Sequence, residues 1–178
     1  MKPHTLDKIT KSRGWLQAKY PGFHNLEPGE RALLCMAYLA DIVKPREVGT
    51  NKGPWVEAFL DSAGVGPGNP WCASAIHFAL CVVEIAARPA GAAAVRNWRN
   101  WFEFRSRLRK QPKRGMIAMH NSGGGKGHIG IVVGAFGLWV RTIEGNTSSG
   151  ETGSQRDGDG LYRRTRLKSY WSWGFAEL

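Results

Sequence analysis

The chain has 178 residues, 42% of them hydrophobic and 22% charged, which suits one domain that buries a core without disulfide staples and excludes a disordered polyelectrolyte. No apolar run approaches the roughly 20 residues needed to cross a bilayer as a helix, and the first residues, "MKPHTLDKITKSRGW", lack a secretory leader's apolar core and small-residue cleavage site, so synthesis in the cytoplasm without a signal peptide is expected. The formal charge of +11 implies attraction to a polyanion (nucleic acid, anionic membrane or acidic wall polymer) without choosing among them.

Residues 1–26 are polar and turn-rich, with a short helix expected from Thr5 to Tyr20. Pro28 and Glu30 open a helix carrying Ala32, Leu33, Cys35, Met36 and Leu39 at helical spacing, which ends near Lys44-Pro45. After the loop "GTNKGP", a short helix runs from Trp55 to Ser62. The Gly- and Pro-dense "AGVGPGNP" follows, and a longer helix is expected from Trp71 to about Ala87. Between Arg96 and Arg114 stand eight Lys or Arg residues against one acid, Glu103. The pattern then changes to strands: "GMIAMH", "HIGIVVGAF", "LWVRTIEG", "GLYRRTRL" and a terminal "SYWSWGFAEL", with "NSGGGKG" as a hairpin loop. Helices first and an antiparallel sheet afterwards predict an α+β fold.

The three cysteines, Cys35, Cys72 and Cys81, form no zinc spacing. Cys35 and Cys81 sit inside apolar helical patterns and read as small buried hydrophobes. Cys72 opens a helix, where unpaired backbone N–H groups and the positive end of the macrodipole favour an anion and suit a nucleophile. His128 starts an apolar strand directly after a glycine-rich loop. Glu144 ends the next strand with Asn146 two residues on, placed to orient the imidazole or steady an oxyanion. Three polar residues at the ends of separate elements imply one shared cleft. His77 is expected in a packing or surface role. A metal pair of His120 with His128 lacks a third ligand nearby.

The segments "GNPWCASAIHF", "GHIGIVVG" and "TIEGNTSS", with looser agreement in "REVGTNKGPWVEAFLDSAGV" and "GDGLYRRTR", make the chain resemble the CHAP amidase/peptidases, relatives of the NlpC/P60 cell-wall hydrolases on a papain-like fold. The resemblance spans about residues 46–176. It implies a catalytic domain over 46–178, with 1–45 a helical extension packed on the same unit. It implies Cys72 as nucleophile, His128 as base and then acid, and Glu144 orienting His128 with Asn146 assisting. Trp71 and Asn69, beside the nucleophile, are the expected substrate contacts, though the sequence leaves open whether Trp71 lines the cleft or wedges the helix start. The implied substrate is an amide bond of peptidoglycan, cut by an amidase or endopeptidase without cofactor or metal.

The chain departs from that family in three respects, the first being that members often carry an acid after the glycine that opens the first strand, where this chain has Gly115-Met116. The loop before the nucleophile offers only Asp61, so calcium is not expected, and no separate wall-binding domain is visible. The basic segment 96–114 could replace the latter by drawing a monomeric enzyme to anionic wall polymer or a membrane surface after release to the wall, as for a phage lysis enzyme or a delivered effector. Trp98 and Trp101, three apart, are expected to dock that segment on the core. Two other readings compete: a basic nucleic-acid-binding module, which no recognition motif supports so that no specific nucleic-acid partner is expected, and a same-fold cysteine hydrolase acting on protein amides.

Overall fold

A computed structural model describes residues 1–124, 126–148 and 158–178. Five helices precede or flank a six-stranded antiparallel sheet, an α+β arrangement. Helix α1 (Pro3–Lys19) starts on a proline, whose missing N–H costs nothing at a helix start, and buries Thr5, Ile9, Ser12 and Leu16 along one stripe. It is longer than the helix expected from Thr5. Helix α2 (Pro28–Tyr38) also opens on proline, buries Ala32, Leu33, Cys35 and Met36, and continues into a wider turn over Leu39–Val43. Lys44, at φ 51, stops it ahead of Pro45. Helix α3 (Pro54–Ser62) packs Val56, Phe59 and Leu60 inward.

Helix α4 (Cys72–Val82) is the centre of the fold, with every residue but Cys81 buried. It ends five residues before the expected Ala87. The physical reason lies in its C-terminus, where Glu84 takes a left-handed φ of 58 and arginines from other helices take the last carbonyls. Arg13 donates Nε to the Val82 carbonyl (2.8 Å) and Nη2 to that of Cys81 (3.1 Å), and Arg31 donates to Val83 (3.0 Å). These cations also complement the negative end of the helix dipole. Residues 1–45 thus hold the far end of the helix that carries Cys72 at its start.

Helix α5 (Val95–Phe104) buries Val95, Trp98 and Phe102 at positions i, i+3 and i+7. Trp98 docks as expected, its indole N–H donating to the Ala92 carbonyl (2.7 Å), while Trp101 is partly buried beneath Arg105, 4.2 Å from its ring. Several cations of the basic segment have acidic partners: Arg99 pairs with Glu103, Arg109 with Glu177 (2.7 Å) and Arg114 with Glu30 (2.7 Å).

The strands are β1 (Leu108–Arg109), β2 (Ile117–Gly123), β3 (Lys126–Phe136), β4 (Trp139–Thr147), β5 (Gly160–Leu167) and β6 (Gly174–Ala176), ordered β1-β6-β2-β3-β4-β5. The terminal aromatic segment supplies only three strand residues, because Lys168–Tyr170 forms a helical turn and Gly174 takes φ 80. β1, too short to show a period, was not anticipated. Strand alternation sorts the sheet's two faces. Ile117, Met119, Ile129, Ile131 and Ile143 join the helices in the main core, while Met116, Ala118, Val132, Val140 and Phe175 form a second cluster under Trp171. Among the described residues no helix is long and apolar enough to cross a membrane.

Candidate active site

Cys72 is the first residue of α4, as its neighbours dictate: Asn69-Pro70 turns the chain and Trp71 adopts a non-helical φ/ψ of −123/9. The first intrahelical bond in this turn is Ala75 N–H to the Trp71 carbonyl (2.9 Å), so the amides of Cys72, Ala73 and Ser74 lie in the turn that has no helical acceptor. Trp71 is wholly buried. Its indole N–H donates to Glu47 Oε1 (2.8 Å), whose Oε2 accepts the Asn51 N–H (2.7 Å), and its ring lies 5.5 Å from that of Phe59. Of the two roles the sequence leaves open for Trp71, lining the cleft or wedging the helix start, its burial fits the wedge and not a substrate contact. Asn69 is exposed and donates to the Gly66 carbonyl (2.9 Å) within its own loop.

His128 is the third residue of β3, not the first: pairing begins at Lys126 and sets His128 opposite His120. Glu144 likewise lies inside β4, which continues to Thr147 across a bulge. Glu144 faces Gly130 in the β3–β4 register, so His128 is its diagonal neighbour on the same face. Glycine is required there, since a Cβ on Gly130 would sit 2.8 Å from Glu144 Cγ. One residue on, a Cβ on Gly145 would meet the Trp71 ring at 2.8 Å and Ala75 Cβ at 3.0 Å. Two glycines thus let the acid reach the imidazole and the nucleophile's helix reach the strand.

His128 Nε2 bonds Glu144 Oε2 at 2.8 Å, leaving Nδ1 as the nitrogen open to sulfur. Burial alone would lower the proton affinity of His128. Hydrogen bonding and charge from the Cys72 sulfur and from Glu144 outweigh it and raise the imidazole from its ordinary 6.5 to about 9. Glu144 is 0% exposed and would be driven upward by burial, yet His128 and Arg166 hold it down at about 2. Cys72 itself is 5% exposed.

Arg166, from β5, was not among the residues expected in the site. It donates Nε to both Glu144 oxygens (2.9 and 3.0 Å) and Nη2 to Oε2 (2.7 Å), and Thr142 Oγ1 donates to Oε1 (2.5 Å). Every acceptor position of the carboxylate used here has a named donor, and a guanidinium fork suits two oxygens at once. Arg166 lies 4.5 Å over the Tyr170 ring, Tyr170 stacks on His120 at 4.0 Å, and His120 Nδ1–H donates to the Tyr170 carbonyl (2.6 Å). His120 is thereby a support for the wall of the site. Trp171 stacks beyond His128 at 6.4 Å.

Asn146 is not joined to His128 by any hydrogen bond among the described residues. It sits in the bulge at φ 52, and its buried Oδ1 has no hydrogen-bond partner there. His77 packs internally, its Nδ1–H facing Ser62 Oγ (3.2 Å), and burial lowers it to about 4. Among the described residues no group of three or more His, Cys, Asp or Glu side chains is placed to hold a metal ion. No family model matches the chain, and no curated protein or solved structure shows significant similarity to it.

Proposed function

We propose that the protein is a cysteine-dependent peptidoglycan hydrolase of the papain-like CHAP type, cutting an amide bond of the bacterial wall after release from the cytoplasm. The observation that carries this reading is the buried line from the Cys72 sulfur through His128 and Glu144 to Arg166. In the proposed cycle, the thiol proton resides on His128 and sulfur attacks the amide carbonyl carbon, pushing its electrons onto oxygen. The unsatisfied amides at the start of α4 are suited to hold that oxyanion. Collapse breaks the C–N bond as His128 gives its proton to the leaving amine. Water, deprotonated by His128, then releases the acyl group and restores the thiol. Glu144 fixes the imidazole and stabilises its charge, while Arg166 and Thr142 fix Glu144.

Asn146 is proposed to assist through its side-chain N–H by steadying the oxyanion, its buried Oδ1 having no described hydrogen-bond partner. The cations of 96–114 that remain without a described acidic partner are proposed to draw the enzyme to anionic wall polymer.

Cys72→Ala tests the reading: clearing of wall suspensions should vanish while circular dichroism and the unfolding midpoint are retained. Clearing that persists in that variant removes the nucleophile. Mass spectrometry of the released termini then separates amidase from endopeptidase cleavage. Turnover of protein amides with none of peptidoglycan would replace the substrate.

A further inference from the structure

Over the His128–Glu144 pair lies a phenol that the proposed cycle does not use. Tyr170 ends the helical turn that follows β5 and packs against the second apolar cluster. Its ring stacks on His120 of β2 (4.0 Å, 13° between planes), and the Arg166 guanidinium of β5 lies 4.5 Å from its centre. Trp171 meets it edge-on at 5.0 Å, and the Tyr170 carbonyl accepts His120 Nδ1–H (2.6 Å). Strand parity puts His120, His128, Glu144 and Arg166 on one face of the sheet. β3 and β4 run between β2 and β5, so a ring that touches both His120 and Arg166 spans His128 and Glu144.

The hydroxyl of this clamped ring is buried and has no hydrogen-bond partner among the described residues. An unpaired buried O–H costs free energy, and phenylalanine would make the same ring contacts without that cost. Burial first, with the negative charges of Glu144 and Cys72, pushes the phenol well above its ordinary 10 against the pull of Arg166 and Arg164, so the hydroxyl keeps its proton. The charge on the Cys72 sulfur thus reaches a hydroxyl that does not bond the sulfur itself. A donor held near a nucleophile but not engaged by it is free to meet charge that appears only when the nucleophile attacks.

We infer that the Tyr170 hydroxyl is a catalytic donor to the tetrahedral oxyanion formed on Cys72, an inference that rests on Cys72 being the nucleophile of the hydrolase reading. As the sulfur electron pair forms the C–S bond, the carbonyl π pair moves onto oxygen, and the phenol donates a hydrogen bond to that oxygen without giving up its proton. When the C=O bond re-forms, the leaving group departs with the electrons of the broken bond and the hydroxyl loses its partner again. The start of α4 supplies backbone donors to the oxyanion, and Tyr170 adds a side-chain donor from the sheet.

The test compares attack on a carbonyl with simple alkylation of the same sulfur, in the full-length protein. One probe is p-nitrophenyl acetate, whose acylation of Cys72 passes through an oxyanion and releases p-nitrophenolate. The other is iodoacetamide, whose displacement of iodide by sulfur forms no oxyanion. Cys72→Ala supplies the background from other groups. Tyr170→Phe keeps the ring contacts and removes only the hydroxyl. In that variant the p-nitrophenolate burst should slow about 100-fold, while the rate of Cys72 alkylation and its pH profile stay unchanged and the urea midpoint is equal or higher. A burst as fast as that of the unsubstituted protein overturns the inference. So does a parallel loss of acylation and alkylation, which makes the ring a support for the Cys72–His128 pair and not a donor. The absence of any Cys72-dependent burst in the unsubstituted protein overturns it as well. None of these readouts involves peptidoglycan, so failure of the wall-hydrolase reading is told apart: wall suspensions do not clear while Cys72 still acylates.

Discussion

Replacing Arg166 by glutamine probes the site at the residue that ties its acid in place. The guanidinium makes three hydrogen bonds to a carboxylate with 0% exposure. Breaking one side of a buried ion pair costs roughly 3–5 kcal/mol, because the remaining charge is left in a low dielectric. The Arg166 side chain is 14% exposed, and His128 and Thr142 still bond Glu144, so the low end applies, ~3 kcal/mol. For a chain of this length that is a fall of ~6–12 °C in the unfolding midpoint. A second effect has a definite sign. Arg166 and His128 share one carboxylate, so removing Arg166 leaves the imidazolium as the main countercharge of Glu144. The Glu144 carboxyl should rise from about 2 toward its ordinary range, and His128 should titrate above its present value of about 9. Urea unfolding followed by tryptophan fluorescence reads the first effect, and proton resonances of the His128 ring read the second. A stability loss under ~1 kcal/mol, the range of exposed pairs, would refute the burial argument. A His128 that titrates lower in the variant would refute the shared-carboxylate argument.

Further outcomes follow from the same geometry. The raised His128 stabilises the fold fully below pH 6.5 and loses that contribution as pH rises through about 9, while the lowered Glu144 stabilises it above pH 4.5 and loses that as pH falls through about 2. Urea midpoints should therefore plateau between pH 4.5 and 6.5, and Glu144→Gln should flatten both flanks. Wall-clearing rates should fall as pH passes about 9, where His128 loses the proton meant for the leaving amine. Gly130→Ala forces Glu144 to move from a Cβ at 2.8 Å and should lower kcat by about 100-fold with a smaller change in KM. Gly145→Ala, against the Trp71 ring and Ala75, should destabilise by roughly 1–3 kcal/mol in the same urea assay.

What the sequence showed about this site follows from what each residue's neighbours could announce. Cys72 stands directly after Asn-Pro-Trp and before a helical apolar run, so its place at a helix start is local information. His128 precedes "IGIVV" and Glu144 follows "VRTI", so both carry strand patterns of their own. Boundaries were less legible. α4 stops early because arginines 50 or more positions away take its last carbonyls, and β3 begins at Lys126 because its pairing reaches into the glycine-rich loop. Trp71, next to the nucleophile, reads from its own segment equally as a cleft residue or as a wedge at the helix start. Its burial depends on Glu47 and Gly145, which no local pattern links to it.

Arg166 shows why the remainder was hidden. In "GLYRRTRL" it alternates like any solvent-facing strand residue, and only the β4–β5 register, with Val140 opposite Arg166, brings it beside Glu144. One signal was present. A carboxylate inside an antiparallel sheet needs more than one donor, and strand parity puts Arg164 and Arg166 on the Glu144 face once β5 is paired with β4. The glycines follow the same logic, for the absence of a side chain at positions 130 and 145 gains meaning only when a neighbour fills the space. A nucleophile can be recognised from its own segment, but the groups that hold its acid in register belong to the pairing of strands, and there the physical test of this site lies.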